Sequence, residues 1–379
     1  MPINTTLADT SNGLLLSTVV IYAIAMLCYA CDFAFAKHRV LGDSTEKADV
    51  VAVPELVSSD VASAGLVGAE LVGAGAGVGA GAGPGGAGGS GRAGAVAGRP
   101  GAGIAAGLPP ADVSAVPGKP ASRWPSGFWL RLAFALTCVG VTVHVIAIVT
   151  RGVAEDRVPW GNMYEFIAAF TCMAVLVLVA ASVWYRAYYL GLFVLVPIVF
   201  GLGVDLTVLY TPAGSLVPAL QSYWIAIHVT AMIVAIGLFI VGTVVTTLYL
   251  ISDRSQRRVA AGQPSFAAGI LRHLPGAAVL DRLAYRSVLF GFPVWTFGVM
   301  AGAIWADHAW GRYWGWDPKE TWSFITWVVY AMFLHARATA GWRGRRAAWI
   351  QIAGFACLMF NVIGVNLFIT GLHSYAGMS

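Results

Sequence analysis

The 379-residue chain is 58% hydrophobic and only 11% charged, with a formal net charge of +5 and a mean hydropathy of +0.74. Charged residues make up about a quarter of a soluble globular domain, so the composition excludes that class. The pI near 9.0 is typical of nucleic-acid-binding proteins, but the basic residues here follow the loops between apolar runs. We therefore expect no nucleic-acid partner.

The apolar residues occur in runs long enough to span a bilayer, which takes about 20 residues per helix. Eight such runs occur in the sequence, at about 13–36, 127–149, 163–184, 188–209, 222–251, 288–306, 321–338 and 348–370. They predict an all-α integral membrane protein with about eight transmembrane helices and an external tryptophan-rich loop. The first run is followed, not preceded, by basic residues, which indicates a retained span rather than a cleaved signal peptide.

The basic residues predict the orientation. With the N-terminus outside, only Arg151, Arg157, Arg312 and Lys319 fall in outer segments, so nineteen of the 23 Lys and Arg residues are inside. Cytoplasmic loops accumulate Lys and Arg because translocating them is unfavourable. We expect a multi-pass protein of the cell (plasma) membrane with the tryptophan loop and both termini extracytoplasmic.

Residues 42–121 differ in composition from the rest of the chain. They are rich in Gly and Ala and have few large side chains, so ordering them costs more free energy than their burial returns. The sequence therefore predicts three parts: an N-terminal transmembrane helix (1–41), a disordered cytoplasmic linker (42–121) and a membrane domain (122–379).

Tryptophan is concentrated between the sixth and seventh runs, at about 305–322. The segment contains Trp305 and then Trp310-Gly-Arg-Tyr313-Trp314-Gly-Trp316-Asp317-Pro-Lys-Glu-Thr-Trp322. Any one of these indoles is commonly a membrane-interface anchor. Four large aromatic residues within seven positions, separated by glycines that permit close backbone approach, instead favour a wide, flat ligand.

This segment resembles the tryptophan-rich WWD signature of heme-handling membrane proteins. Together with Leu334-His335-Ala-Arg337 and the ending Gly371-Leu-His373-Ser-Tyr-Ala376, it is similar to the CcsA family, also called ResC and in some bacteria CcsB. The resemblance covers residues 122–379, and the segment 42–121 has no counterpart in it.

The resemblance implies heme transport and presentation for covalent attachment to apocytochrome c. The chain would be the heme-presenting subunit of a System II cytochrome c synthase (heme lyase), with heme b as its cargo. Implied partners are a ResB/CcsB-like membrane subunit, an apocytochrome c with a C-x-x-C-H segment and a thioredoxin-like thiol reductant. No catalytic residue is expected, because heme and thiols supply the reactive groups.

Two histidines are predicted at the level of the tryptophan loop. His228 lies near the outer end of the fifth run, and His373 follows the eighth. A membrane histidine bonded to a neighbouring helix is the alternative for each. Their shared depth and the resemblance favour the two axial ligands of one outer heme, held against Trp314 and Trp316. The implied heme-binding residues also include Trp310, Asp317 and Trp322.

His335 lies eighteen residues after Asp317 and hence about 27 Å deeper in a helix, too far to share that iron. The resemblance assigns it to an inner heme whose other ligand comes from the partner subunit. Two further histidines, His144 and His308, are not assigned as ligands; we expect His144 to be a helix-packing hydrogen-bonder.

Two other functions stay open. A two-heme membrane electron carrier of cytochrome b type would need two histidines at each level, and at the inner level only His335 lies within a run. A transporter with an aromatic gate and no heme is the other.

Among the polar residues, Asp317 is predicted to cap the seventh helix, Arg312 to pair with a heme propionate or anchor at the interface, and Glu165 and Asp205 to stay partly hydrated.

Overall fold

A computed structural model describes residues 4–35, 125–216, 218–265 and 273–373 of the chain. The predicted linker at 42–121 lies outside the described residues, and its disorder stays a prediction. The described residues are helical and contain no strand. The predicted fold class, an all-α integral membrane protein, is therefore confirmed.

Eight long helices follow one another in the described part of the chain. Their bounds are α1 Thr5–Phe35, α2 Phe128–Glu155, α3 Met163–Tyr185, α4 Leu190–Thr207, α5 Tyr223–Ala260, α6 Ala277–Trp310, α7 Pro318–Ala338 and α8 Arg345–Phe368. A short 3₁₀ turn, Pro218–Leu220, precedes α5. Each helix coincides with one predicted apolar run, although several extend well beyond it.

Seven of these helices are long and apolar enough to cross a membrane, and α7 is not among them. It has 21 residues, and its tryptophans, threonines and charged ends lower its hydropathy. Its start nevertheless contacts the chain just beyond α8, through Asp317 and Leu372, and its end turns directly into α8. The helix therefore covers the same depth as the apolar α8 beside it.

Small residues allow the helices to approach closely. A Cβ on Gly140 or Gly191 would overlap the rings of Tyr22 and Tyr29 from α1, so these glycines let α1 pack against α2 and α4. In the same way Gly291 of α6 accommodates Phe239 of α5. Such contacts are the usual source of helix association in membranes, where packing replaces the hydrophobic effect.

The last helix is interrupted by a π-helical segment, Phe360–Gly364. Asn361 lies in this segment and donates from Nδ2 to Ser323 Oγ of α7 at 2.8 Å. A π segment widens one turn and commonly marks a functional site. Here it brings Asn361 to the lining of a cavity at the end of the bundle where α6 ends and α7 begins.

Candidate heme-binding site

A cavity of about 170 Å³ lies at this end of the bundle. Its lining is mainly aromatic and apolar. The lining comes from the start of α3 and the turn before it, the first half of α5, the second half of α6, the loop before α7, the start of α7, the π segment of α8 and His373 after α8. Parts of the chain that are far apart in sequence therefore meet around one space.

His228 reaches this cavity from the second turn of α5. Its Nδ1 lies 2.7 Å from the carbonyl oxygen of Gly298 on α6. Because a carbonyl oxygen only accepts hydrogen bonds, Nδ1 carries the hydrogen, and the neutral ring has its lone pair on Nε2. A histidine that donates through one nitrogen to a backbone carbonyl and offers the other to a metal is the usual arrangement of a metal ligand.

A glycine provides the space for this ring. A Cβ at Gly302 would lie 2.7 Å from both Cε1 and Nδ1 of His228, which real side chains do not tolerate. Gly302 is one helical turn beyond Gly298, the residue that accepts the imidazole hydrogen bond. The two glycines of α6 thus form the surface on which His228 lies.

His373 enters the same cavity from the chain that follows α8. Its Nδ1 lies 2.8 Å from Oδ1 of Asp317, so the ring donates through Nδ1, and in its neutral form the lone pair is again on Nε2. Carboxylate partners of this kind fix a ligand imidazole and raise its basicity. The two histidines are 145 residues apart in sequence, yet both line one cavity.

Asp317 joins two parts of the site. It caps α7, as predicted, in a capping box with Glu320. Its other oxygen accepts from the backbone N–H of Leu372 at 2.7 Å. Only 7% of Asp317 is exposed. One carboxylate therefore joins the start of α7 to the segment that carries His373.

Burial raises the pKa of Asp317. Hydrogen bonds from His373 and from the backbone N–H groups of Leu372 and Lys319 lower it by more than burial raises it, so the pKa lies below the ordinary 3.8. The group is ionised at neutral pH. For a depressed carboxyl pKa, the contribution to stability is complete above the unfolded-state value and is lost as the pH falls through the folded-state value. The contact between α7 and His373 therefore persists throughout the physiological range.

Trp305 lies against both histidines. Its ring is nearly parallel to that of His228, with centroids 6.1 Å apart, and is 5.7 Å from His373 at an angle of 59°. Trp310 packs edge-on at 4.8 Å from Trp305 and 5.0 Å from His373. Both tryptophans belong to α6, so the loop proper is shorter than the predicted 305–322 and runs only from Gly311 to Asp317.

The structure separates the predicted tryptophans. Trp310 and Trp314 line the cavity. Trp316 is not among the lining residues. It is 64% exposed and adopts a positive φ of 58°, and its ring contacts those of Trp314 and Phe324. Trp322 packs on Phe360 at 4.3 Å, between α7 and α8. Of the two tryptophans expected against the heme, Trp314 is therefore part of this lining and Trp316 is not, and the hypothesis that a heme lies against both together stays a prediction.

Charged residues beside the cavity hold the loop. Glu320 accepts from the backbone N–H of Gly315 at 2.8 Å and lies 3.4 Å from the Arg312 guanidinium. Arg312 also lies over the Trp310 ring at 5.9 Å. The arginine expected to meet a propionate is thus paired within the protein, whereas Lys319 lines the cavity directly.

The other histidines lie elsewhere. His335 is exposed on the last turn of α7 and is not part of this cavity's lining. His308 is exposed and bonds to the Ile304 carbonyl of its own helix at 2.9 Å. His144 is fully buried, with Nδ1 3.5 Å from the Tyr22 hydroxyl of α1, which confirms the predicted helix-packing role.

A buried ion cluster supports the far wall of the cavity. Glu165 receives hydrogen bonds from Arg151, Arg157 and the backbone N–H of Gly161, and the turn at Gly161 lines the cavity. The expectation that Glu165 and Asp205 stay partly hydrated was wrong, since they are 3% and 0% exposed. For Glu165, the two arginines provide the compensation that water would otherwise supply.

Sequence reasoning missed several residues that shape this site, among them Gly302, Trp305 and Lys319. Trp305 ends an apolar run and Lys319 follows a proline, so each has an ordinary local explanation as an interface anchor. Gly302 resembles any small residue of a membrane helix. Only the packing of α5, α6 and the start of α7 around one cavity gives these three residues a shared role.

Comparison with known proteins provides an independent result. A family described as cytochrome c assembly protein matches residues 160–373, which is more than half of the chain. The chain belongs to this cytochrome c assembly family. The matched range contains the whole cavity lining, both histidines and the tryptophan loop, and membership gives the chain a role in cytochrome c biogenesis.

Individual members of the family are similar in sequence to this chain. The cytochrome c biogenesis protein CcsA of Gloeobacter violaceus is 34% identical over 311 residues, which covers 66% of this chain and 91% of the relative. The CcsA of Guillardia theta is 35% identical over 261 residues, covering 64% and 84%. That of Chlamydomonas reinhardtii is 44% identical over 163 residues, 43% of each chain. The predicted CcsA resemblance is confirmed.

Proposed function

We propose that this protein transports heme and presents it in the cavity for covalent attachment to apocytochrome c. The observation that supports this most strongly is the meeting of His228 and His373 at Trp305. Each ring is oriented through its Nδ1 by a partner that only accepts hydrogen bonds. Two such imidazoles suit the two axial positions of a heme iron.

The cavity residues fit the rest of the cargo. Trp305, Trp310 and Trp314 provide wide, rigid aromatic surfaces for a porphyrin. Lys319 supplies a cation to the lining, and a propionate is the complementary group on heme. His228 and His373 would coordinate iron through Nε2, while Asp317 holds the second of them in place.

The chemistry of attachment belongs to the heme and the cytochrome. Each of two cysteine thiols in a C-x-x-C-H segment adds across a heme vinyl group to form a thioether, with no group leaving. The protein contributes position, holding the porphyrin where the thiols reach it. We infer that it acts as a subunit of a System II cytochrome c synthase, with a ResB/CcsB-like membrane subunit and a thioredoxin-like reductant that keeps the thiols reduced.

His335 fits a second role at the other depth. It is exposed on the outer face of α7, where a neighbouring subunit has access to it. We infer that it binds heme on the way to the cavity, with the second axial ligand from the partner subunit. The cavity and the tryptophan loop then face the extracytoplasmic side of the plasma membrane, as the charge asymmetry predicts.

Maturation of a reporter cytochrome c tests this function. We expect His228→Ala and His373→Ala, each produced with the partner subunit, to reduce covalent heme attachment to background, and added imidazole to restore part of it by occupying the vacated position. His308→Ala is the matched control, since His308 is an exposed histidine near the same loop. Normal maturation in both cavity variants would contradict the proposal and favour an electron carrier of cytochrome b type.

A further inference from the structure

The end of the bundle opposite the cavity carries two adjoining basic depressions, of 680 Å³ and 290 Å³. They lie between the end of α5 and the turn that joins α7 to α8. Six arginines line them: Arg254, Arg257, Arg258, Arg343, Arg345 and Arg346. Since α5 has 38 residues, this end of the helix lies about 55 Å from the end that carries His228.

The charge of this region is poorly balanced within the described residues. The acidic side chain that contacts the arginines is Asp253, whose Oδ2 lies 3.0 Å from Arg257 Nε and 3.9 Å from Arg345 Nε. Among the described residues, this carboxylate contacts two of the six guanidinium groups. Such a concentration of positive charge attracts anions, and the planar guanidinium fork matches phosphate oxygens in particular.

Glycine holds this arrangement in place. Gly341 and Gly344 have positive φ values of 60° and 74°, a conformation that favours glycine. A Cβ at Gly344 would lie 3.0 Å from the Tyr249 hydroxyl of α5. The turn between α7 and α8 thus lies close against α5, which brings Arg343, Arg345 and Arg346 beside Arg257.

Two exposed tryptophans border the larger depression. Trp342 and Trp349 are 41% and 58% exposed, and the Arg346 guanidinium lies 5.8 Å from the centre of the Trp342 ring. Indoles at helix ends mark the level of lipid headgroups. Ile251 on α5 is also exposed, so the basic depression adjoins helix faces that can contact acyl chains.

We propose that this depression binds the phosphate of an anionic phospholipid headgroup. Basic pockets between the ends of transmembrane helices are suited to such headgroups. The general excess of basic residues in cytoplasmic loops explains scattered arginines, but not four that line the larger depression beside two exposed indoles, with two more in the adjoining one. The aromatic border favours a lipid over a soluble phosphate, because only a lipid has chains to place against it.

Lipid retention tests the proposal. Full-length protein is reconstituted into vesicles of equal parts phosphatidylglycerol and phosphatidylcholine, extracted in mild detergent, and its retained lipid is measured by mass spectrometry. We expect wild-type protein to be enriched in phosphatidylglycerol. We expect Arg343→Gln/Arg346→Gln to lower that retention at least about tenfold, and a wash with excess glycerol phosphate to leave it in place.

The matched control is Arg282→Gln/Arg286→Gln on α6. It makes the same change of charge at the same end of the bundle, and Arg286 lies over a ring, Tyr185, as Arg346 lies over Trp342. The control should retain wild-type lipid. Equal retention of the two lipids by wild type, unchanged retention in the site variant or equal loss in the control would each overturn the proposal. Loss of the retained phosphatidylglycerol in the glycerol phosphate wash would overturn the proposal of a lipid ligand and favour a soluble phosphate.

Discussion

At the residue scale, the two histidines of the cavity are held by different partners. His228 donates to a backbone carbonyl inside α6, which fixes its position but carries no formal charge. His373 donates to the ionised Asp317. We infer that Asp317 orients the His373 ring as the Gly298 carbonyl orients that of His228, each leaving Nε2 directed to the ligand.

The space beside His228 gives the sharpest single-residue prediction. Gly302→Ala would put a methyl group 2.7 Å from the imidazole, so the ring must leave its hydrogen bond with Gly298. We expect heme retained by the purified protein to fall several-fold, with unfolding temperature little changed. Heme content per protein, measured by the pyridine hemochrome absorbance, checks this.

The control for that substitution is Gly201→Ala on α4, where nothing lies within 4 Å of the added Cβ. Both changes add one methyl group to a membrane helix, but only one meets a histidine. Equal heme content in the two variants would show that the position of His228 does not govern heme binding.

Individual residues also show what the sequence could and could not predict about the site. The histidine pair was predicted from the shared depth of the two residues together with the resemblance to the CcsA family, since both segments reach the same side of the membrane. Trp314 and Trp316 are the same residue type two positions apart, and a left-handed backbone at Trp316 turns its side chain out of the cavity. A composition pattern contains no information about such a dihedral angle.

At the element scale, hydropathy located the helices but not their ends. The fifth run was predicted to end at residue 251, whereas α5 continues to Ala260. The added turns contain Asp253 and Arg257, a pair at i and i+4 that stabilises a solvated helix. Hydropathy detects only the portion inside the bilayer, so polar helical extensions of this kind are missed.

An ion pair joins two of these elements at the end away from the cavity. Arg337 of α7 binds both carboxylate oxygens of Asp281 on α6, at 2.8 and 2.9 Å, and both side chains are mostly buried. We expect Arg337→Ala to destabilise the protein by about 3 kcal/mol, because it leaves Asp281 without its partner. Thermal unfolding in detergent measures this.

The reversed pair, Asp281→Arg/Arg337→Asp, separates the ion pair from other effects of Arg337. It restores opposite charges at the same two positions, so we expect it to recover a part of the lost stability. A reversed pair less stable than Arg337→Ala would show that the contacts of Arg337 with the Tyr285 ring, rather than its charge, account for the loss.

At the scale of the whole molecule, the two ends of the bundle differ in chemistry. One end has the aromatic cavity with its paired histidines, and the other has the arginine-lined depressions. His335 lies toward the second end, on α7. A heme passing from His335 to the cavity would therefore travel along α7 from the basic end to the aromatic end.

The orientation of the protein in the membrane is a further prediction. Reporter fusions near residues 312 and 379 should report the extracytoplasmic side, and fusions near 255 and 343 the cytoplasmic side. The expectation follows from the excess of Lys and Arg in inner loops. A cytoplasmic position for residue 379 would contradict the predicted orientation.

We propose that His228 and His373 together ligate one heme. The most direct test is the absorption spectrum of the purified protein, produced with its partner subunit, compared with His228→Ala and His373→Ala. We expect wild type to show a low-spin, bis-histidine spectrum, and each variant to lose heme or to show a shifted spectrum that added imidazole moves back. Unchanged spectra and unchanged heme content in both variants would contradict the assignment.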